Sequence, residues 1–403
     1  MLSDVIRDEL YVRFLSKIKN LKLDHERSTI KSIDYNDRMI CIRGPRGCGK
    51  TTFLLNHIKS NYTLDATVLY VSLDDIYISE STLFSFANDF ALQGGKYLFL
   101  DEIHKYPNWS RELKNIYDSI PDLKVVITGS SILEIHKGEA DLSRRVVNYD
   151  MSGLSFREFI FFETGKKFDP VSLDDLLKKH LEISMAITEH CKPLALFSEY
   201  LKYGYYPFYL ESKNSYHDKL AATVNLVLET DLPAVHPIEF ANTIKLKRLL
   251  KFLSFSGPYK PDIVKLSAQI EVSRNTLLHF LTYLREASLL NFLRDSEKGE
   301  GVFTKPDKVY LQNTNLAYAI SANTADVGML REVFFLNQLS ALTLVNHTKV
   351  GDFKVDNQYI FEVGGKNKSF EQIKDLPGSF LAIDGIEYGN KNRIPLYLFG
   401  MMY

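Results

Sequence analysis

Cysteine is scarce in this chain: Cys41, Cys48 and Cys191 are the only three in 403 residues. They show no paired spacing and Cys48 lies inside a glycine-rich loop, which excludes a cysteine zinc cluster and suits a reducing compartment. Trp109 is the single tryptophan, so the 12% aromatic content is almost wholly phenylalanine and tyrosine. Neither sign of charge is in large excess. With a formal net charge of −1, no global field draws the whole protein to nucleic acid or membrane. No run of about 18 apolar residues occurs, which argues against a membrane span. The start, Met1-Leu2-Ser3-Asp4-Val5-Ile6-Arg7, lacks a basic region followed by an apolar core, so no signal peptide is expected. Low-complexity tracts and internal repeats are missing too. These absences predict a cytoplasmic protein with no membrane partner.

What is present is 45% hydrophobic and 25% charged, the balance of a globular protein with ample core. At 403 residues, two to four domains are expected. The most informative stretch is Gly44-Pro45-Arg46-Gly47-Cys48-Gly49-Lys50-Thr51, which matches G-x-x-x-x-G-K-[ST], with Thr52 after it completing the expected phosphate cradle. A β-like run, Met39–Ile42, precedes it and a helical pattern, Thr52–Ile58, follows. Strand, loop and helix N-terminus together aim backbone N–H groups and a positive dipole end at an anion. The glycines let the backbone approach phosphate oxygens closely. Lys50 is placed for the β- and γ-phosphates, and the Thr51 hydroxyl for Mg²⁺.

From residue 37 to 155 β-like runs alternate with helical ones. The predicted strands are Arg38–Ile42, Thr67–Leu73, Lys96–Leu100, Lys124–Thr128 and Arg145–Asn148. Helices are predicted near Thr51–Ser60, Glu80–Leu92, Asn108–Ser119 and Ser131–His136. This alternation predicts an α/β fold, a doubly wound parallel sheet covered on both faces. Residues 1–36 read as a helix and connector. Residues 156–236 read as a helical lid, built from Phe156–Thr164, Ser172–Ile187, Leu194–Lys202 and Tyr216–Glu229. Residues 240–312 give a helix (Ile263–Ile270), a turn, and a second helix (Arg274–Leu284) with Ser273 available as N-cap. Two β-like stretches follow, Leu289–Leu293 and Gly301–Thr304, and the whole reads as a winged helix. Residues 313–403 read as a small α/β domain: a helix over Met329–Leu342 and strands Val350–Val355, Tyr359–Val363, Ser379–Asp384 and Pro395–Phe399.

The apolar strand Tyr97–Leu100 ends in Asp101-Glu102, at the edge where an open α/β sheet binds its ligand. Asp101 is expected in the Mg²⁺ shell, and Glu102 is expected to polarise an attacking water. Val125-Val126-Ile127-Thr128-Gly129-Ser130-Ser131 ends in hydroxyls suited to sensing a γ-phosphate. Thr128 or Ser130 is the expected sensor, although Ser130 or Ser131 can also cap the next helix. Lys124–Thr128 is expected to lie between the P-loop strand and the Asp101 strand. Arg144-Arg145 offers a guanidinium for charge on the γ-phosphoryl oxygens, with Arg145 acting in its own site or a neighbour's; the alternative is a solvated basic pair.

The string from Leu100-Asp101-Glu102-Ile103-His104-Lys105 to Trp109, with Thr128–Ser131 and Leu154-Ser155-Phe156-Arg157-Glu158-Phe159, resembles a large group of prokaryotic AAA-type P-loop ATPases. In that group the core carries a C-terminal winged helix and a restriction-endonuclease-like domain. The resemblance implies ATP binding with Mg²⁺, hydrolysis, and a role for Arg145 at the nucleotide. Trp109 reads as a core anchor and His104 as a satisfied polar residue near the site. In the C-terminal domain Glu332, Asp352 and Glu362 match acidic nuclease positions, but glycine stands where the lysine belongs, with Lys366 and Lys368 displaced downstream. This predicts a decayed or repurposed nuclease, with Lys366 as the residue that could reach back.

Residues 241–310 hold twelve Lys/Arg against seven Asp/Glu, and Arg274, Asn275 and His279 would face a DNA groove. Double-stranded DNA and a second copy of the chain are the expected macromolecular partners. The leading expectation is an ATPase whose turnover moves the winged-helix and C-terminal domains. An ATP-switched DNA-binding regulator and an ATP-coupled nuclease are the alternatives.

Overall fold

The computed structural model describes residues 4–21, 27, 32–75, 82–130, 142–295, 305–321 and 326–403. The chain divides into two compact units, Met1–Ser152 and Gly153–Tyr403. The boundaries expected near residues 236–240 and 312–313 fall inside the second unit.

In the first unit the strands are β1 (Met39–Gly44), β2 (Val68–Ser72), β3 (Tyr97–Asp101), β4 (Lys124–Ser130) and β5 (Val147–Asp150). They form one parallel sheet in the order β2-β3-β4-β1-β5. Thus β4 does lie between the P-loop strand and the Asp101 strand. Consecutive residues of β1, β3 and β4 are buried, such as Ile40, Cys41 and Ile42, or Leu98, Phe99 and Leu100. Both faces of these strands are therefore covered, as a doubly wound sheet requires. Helices α1 (Asp4–Lys19), α2 (Lys50–Asn61), α3 (Leu83–Leu92) and α4 (Trp109–Ser119) belong to this unit. Trp109 opens α4 and packs against the core, as expected of an anchor.

One prediction here is corrected. The fifth strand begins at Val147, because the Arg145 and Val146 N–H groups first close a turn onto the Leu142 carbonyl. The helix expected over Ser131–His136 lies outside the described residues.

The second unit opens with α5 (Phe156–Thr164), α6 (Leu173–Thr188), α7 (Pro193–Tyr203) and α8 (Tyr216–Leu226). The Leu-Ser-Phe-Arg-Glu-Phe string is explained at its N-terminus by a capping box. Ser155 Oγ accepts from the Glu158 N–H at 3.1 Å, and Glu158 Oε2 accepts from the Ser155 N–H at 3.0 Å. Phe156 and Phe159 are fully buried, and Arg157 donates to the carbonyls of Tyr403 and Phe168.

Next come α9 (Phe240–Phe255), α10 (Ile263–Ile270) and α11 (Arg274–Glu286), with Ser273 capping α11 as expected. Strand β6 (Leu290–Leu293) pairs antiparallel with β7 (Lys308–Leu311). The partner strand expected at Gly301–Thr304 lies outside the described residues.

After α12 (Thr314–Ser321) and α13 (Val327–Ser340) come β8 (Val345–Asn346), β9 (Phe353–Val355), β10 (Tyr359–Gly364), β11 (Ser379–Ile383) and β12 (Arg393–Pro395). They make a mixed sheet in the order β12-β11-β10-β9-β8. Two expectations change. The strand expected over Val350–Val355 starts only at Phe353, since Gly351 takes φ 82°. The strand expected over Pro395–Phe399 is displaced, because β12 ends at Pro395 and Leu396–Met401 is a buried 3₁₀-helix, an ambiguity inherent in short apolar runs.

Candidate nucleotide-phosphate site

The site gathers at the C-terminal edge of the first unit's sheet. After β1, Gly47 (φ 84°) and Gly49 (φ 95°) take left-handed backbone conformations, and Gly49 is the N-cap of α2. Such φ values cost a side-chain-bearing residue about 1–2 kcal/mol, so glycine is favoured. Gly44 is needed for a different reason. A Cβ there would stand 2.2 Å from the Met151 carbonyl oxygen. Cys48 and Pro45 are buried while Arg46 is half-buried, so the loop turns its backbone, not its side chains, to the hollow.

Lys50 is 5% exposed, and its Nζ donates to the carbonyls of Gly44 at 3.0 Å and Pro45 at 3.1 Å. The ammonium is thus folded back over its own loop. Thr51 Oγ1 donates to Asp101 Oδ2 at 2.7 Å, joining the start of α2 to the end of β3. Thr52 is exposed on the first turn of α2.

Asp101 is 2% exposed and accepts from three hydroxyls. Besides Thr51 these are Tyr70 Oη, at 2.7 Å, and Thr128 Oγ1. The Thr128 hydroxyl also accepts from the Glu102 N–H at 3.2 Å, so one side chain of β4 ties both acidic residues together. Ser130 is buried and in register with Gly44. Ser131 lies outside the described residues. Burial and the neighbouring Asp101 carboxylate push the Tyr70 phenol far above its ordinary value, so it remains a donor.

Glu102 leaves the strand with φ 56° and ψ 45°, a left-handed conformation that glutamate adopts only under constraint. Its carboxylate Oε2 lies 3.2 Å from His104 Nε2.

Arg145 is not brought to this cluster. Its Nε and a terminal nitrogen fork onto Asp118 at 2.8 and 2.9 Å. Val147 is in register with Ile40, four residues below Gly44, or about 13 Å along the strand. Arg145 precedes Val147, so it stands at the opposite edge of the sheet. Arg144 beside it is exposed. Within this unit the Arg145 guanidinium is thus held by Asp118, away from the phosphate loop.

In the second unit Arg274 and Asn275 are exposed at the start of α11, whereas His279 is half-buried beside Tyr283. Glu332 on α13, Asp352 just before β9 and Glu362 on β10 do come within electrostatic reach of a common lysine, Lys368. Lys368, not Lys366, is the lysine that reaches back, with Nζ 2.8 Å from Glu362 Oε1. Glu332 accepts from Tyr310 Oη at 2.9 Å, and Asp352 Oδ2 accepts from the Val363 N–H at 2.8 Å. Burial and the nearby Asp352 raise the Glu332 carboxyl above its ordinary range. Even so, among the described residues no three His, Cys, Asp or Glu side chains are disposed to hold a metal ion.

Sequence reasoning missed Tyr70 and the Glu102–His104 contact. The only signal for Tyr70 was a polar-tipped ring in an otherwise aliphatic strand. Lys368 was recognised but passed over, because spacing along the chain does not show which lysine a turn returns to the sheet.

Parallel order, P-loop and acidic strand end together define an AAA-type P-loop domain of α/β fold. Comparison with known families agrees: residues 36–160 match a family described as an AAA domain, and residues 194–327 match a domain of unknown function, DUF8612. Two uncharacterized proteins of Methanocaldococcus jannaschii are similar to this chain. MJ1637 is 24% identical over 298 residues, 69% of this chain and 62% of that protein. MJ1544 is 23% identical over 389 residues, 93% of this chain and 81% of that protein. The chain thus spans less than two thirds of MJ1637. Among solved structures, AMPPCP-bound DnaA from Aquifex aeolicus is 14% identical with a TM-score of 0.25, covering 71% of this chain and 89% of that one. A DNA polymerase III gamma subunit-related protein from Thermotoga maritima is 13% identical with a TM-score of 0.25, covering 70% and 84%. Among the described residues no helix is long and apolar enough to cross a membrane.

Proposed function

We propose that this protein binds ATP with Mg²⁺ in the P-loop and hydrolyses it to ADP and phosphate. The observation that carries the reading is the hydroxyl relay Thr51–Asp101–Thr128–Glu102 beside Lys50, which joins three chain segments at one sheet edge. The loop amides of Gly47–Thr51 would receive phosphate oxygens, and Lys50 would exchange its two carbonyl acceptors for the β- and γ-phosphates. Thr51 and Asp101 supply hard oxygen donors that fit Mg²⁺, whose remaining positions suit phosphate and water. When bound, the ion neutralises phosphate charge. Glu102 would orient the attacking water and hold its proton. Thr128, tied to both acids, is the favoured γ-phosphate sensor, with Ser130 at the next level of the strand.

A recess of about 110 Å³ lies beside the loop, lined by Arg27, Phe53, Asn56 and His57 among others. Arg27 donates to the Cys48 carbonyl at 2.5 Å, and this link to the loop supports the recess as the place for a base. Turnover is proposed to be coupled to the second unit through Met151. Its carbonyl backs onto Gly44, one residue before the division between the units.

Binding and turnover assays of wild type, Lys50→Ala and Glu102→Gln test the reading. Lys50→Ala should lose Mg-ATP affinity, and Glu102→Gln should keep affinity and lose turnover. Hydrolysis unchanged in Glu102→Gln would remove the assigned chemistry.

A further inference from the structure

We infer that His104 is a positioning residue for Glu102, bracing one oxygen of its carboxylate so that the other is held for the attacking water. The inference rests on the hydrolytic reading above and goes beyond it by naming what aims the carboxylate.

Strand alternation alone would send the side chain of residue 102 to the face of the sheet opposite that of Asp101. The left-handed backbone of Glu102 breaks that alternation at the last pleat. Its carbonyl then accepts from the Lys105 N–H at 2.9 Å, and the Ile103 carbonyl accepts from the Tyr106 N–H at 3.1 Å. This closes a single 3₁₀ turn, Ile103–Lys105, anchored by the fully buried Ile103. The turn carries His104 back beside Glu102, with Nε2 3.2 Å from Oε2.

The two side chains are sheltered to different degrees, with 9% of the imidazole and 22% of the carboxylate exposed. The imidazole is therefore the packed, fixed member, and the carboxylate keeps an open side. From the other direction the Glu102 N–H is held by Thr128 Oγ1. The backbone of Glu102 is tethered through its N–H and its carboxylate has the imidazole beside it, while both oxygens of Asp101 are engaged by hydroxyls. A glutamate in a left-handed conformation beside a largely sheltered histidine fits a group whose aim matters more than its contribution to folding.

The test compares wild type, His104→Ala, His104→Gln, Glu102→Gln and the double variant His104→Ala/Glu102→Gln. Readouts are steady-state Mg-ATP turnover, affinity for a fluorescent ADP analogue, and the ring resonances of histidine-labelled protein. His104→Ala should lower kcat by about 10–100-fold, leaving KM and nucleotide affinity within about two-fold. His104→Gln, which restores a donor, should recover a substantial part of kcat. In the Glu102→Gln background the alanine change should have no further effect. The His104 ring resonances should shift in Glu102→Gln.

Turnover unchanged or raised in His104→Ala overturns the inference, as does a loss carried by KM, or an equal loss in the Glu102→Gln background. Ring resonances identical in wild type and Glu102→Gln overturn it without any turnover being needed. A wild type that fails to turn over Mg-ATP while the resonances do shift refutes the hydrolytic reading and leaves the contact standing.

Discussion

Gly44 and Met151 are packed so closely that the carbonyl of one occupies the space a Cβ of the other would need, at 2.2 Å. The first glycine of the phosphate loop is thus fixed by a neighbouring backbone as well as by any ligand. Because that neighbour is backbone, the clash cannot be relieved by a rotamer change. Gly44→Ala should cost about 1–3 kcal/mol of stability and weaken Mg-ATP binding, read by denaturant titration and calorimetry. Normal stability in that variant would mean that Met151 moves freely.

Tyr70 is expected to matter for Asp101 although it lies outside the recognised motifs. Tyr70→Phe removes a hydrogen bond to a buried carboxylate and should destabilise the first unit by about 1.5–3 kcal/mol. Turnover should fall several-fold while Lys50-dependent nucleotide binding persists. An unchanged midpoint in urea would show that the hydroxyl contributes nothing.

His57 stacks on Tyr35 with ring centroids 3.6 Å apart, and burial lowers its pKa to about 4. A histidine depressed in the folded state contributes stability that is complete above its unfolded pKa of about 6.5 and lost as pH falls toward 4. Relative to His57→Gln, wild type should therefore lose stability across that window, by about 1–2 kcal/mol since the ring is only partly buried and solvent screens part of the shift. Parallel pH profiles for the two proteins would show that His57 is already solvated.

Arg145→Ala should leave turnover unchanged in dilute protein, because its guanidinium is forked onto Asp118 at the far edge of the sheet. The pair is partly exposed, so the melting temperature should hardly move. A large loss of turnover that appears only at high protein concentration would instead place Arg145 in a neighbouring copy's site.

Ser155→Ala breaks the capping box at the head of α5 and should destabilise the second unit by about 0.5–2 kcal/mol without altering nucleotide binding. Separate unfolding of the two units, followed by a probe in each, is the measurement that checks it.

The P-loop, Asp101 and Glu102 were legible because each is a contiguous string whose chemistry depends on neighbours in the chain. Strand order was legible in part: the central place of Lys124–Thr128 was expected from the hydroxyls at its end, suited to sensing a γ-phosphate between the P-loop strand and the acidic strand. The start of the fifth strand misled because the β-like pattern begins at Arg145, two residues early, and a turn onto Leu142 is not visible in composition. Leu396–Met401 misled because six buried residues satisfy a core equally well as a strand or a 3₁₀-helix.

Local sequence by itself determined an anion-binding loop, the acidic end of a buried strand, and the alternation that makes a parallel sheet. These depend on backbone freedom at glycine, on side-chain type, and on period. Only the tertiary structure decided that Thr128 joins Asp101 to Glu102, that Tyr70 serves the same carboxylate, that Lys368 is the lysine meeting Glu362, and that Arg145 stays away. Those facts depend on register between strands distant in the chain and on turns that redirect single residues. No local pattern encodes them, because the energies that select them arise only once the strands are side by side.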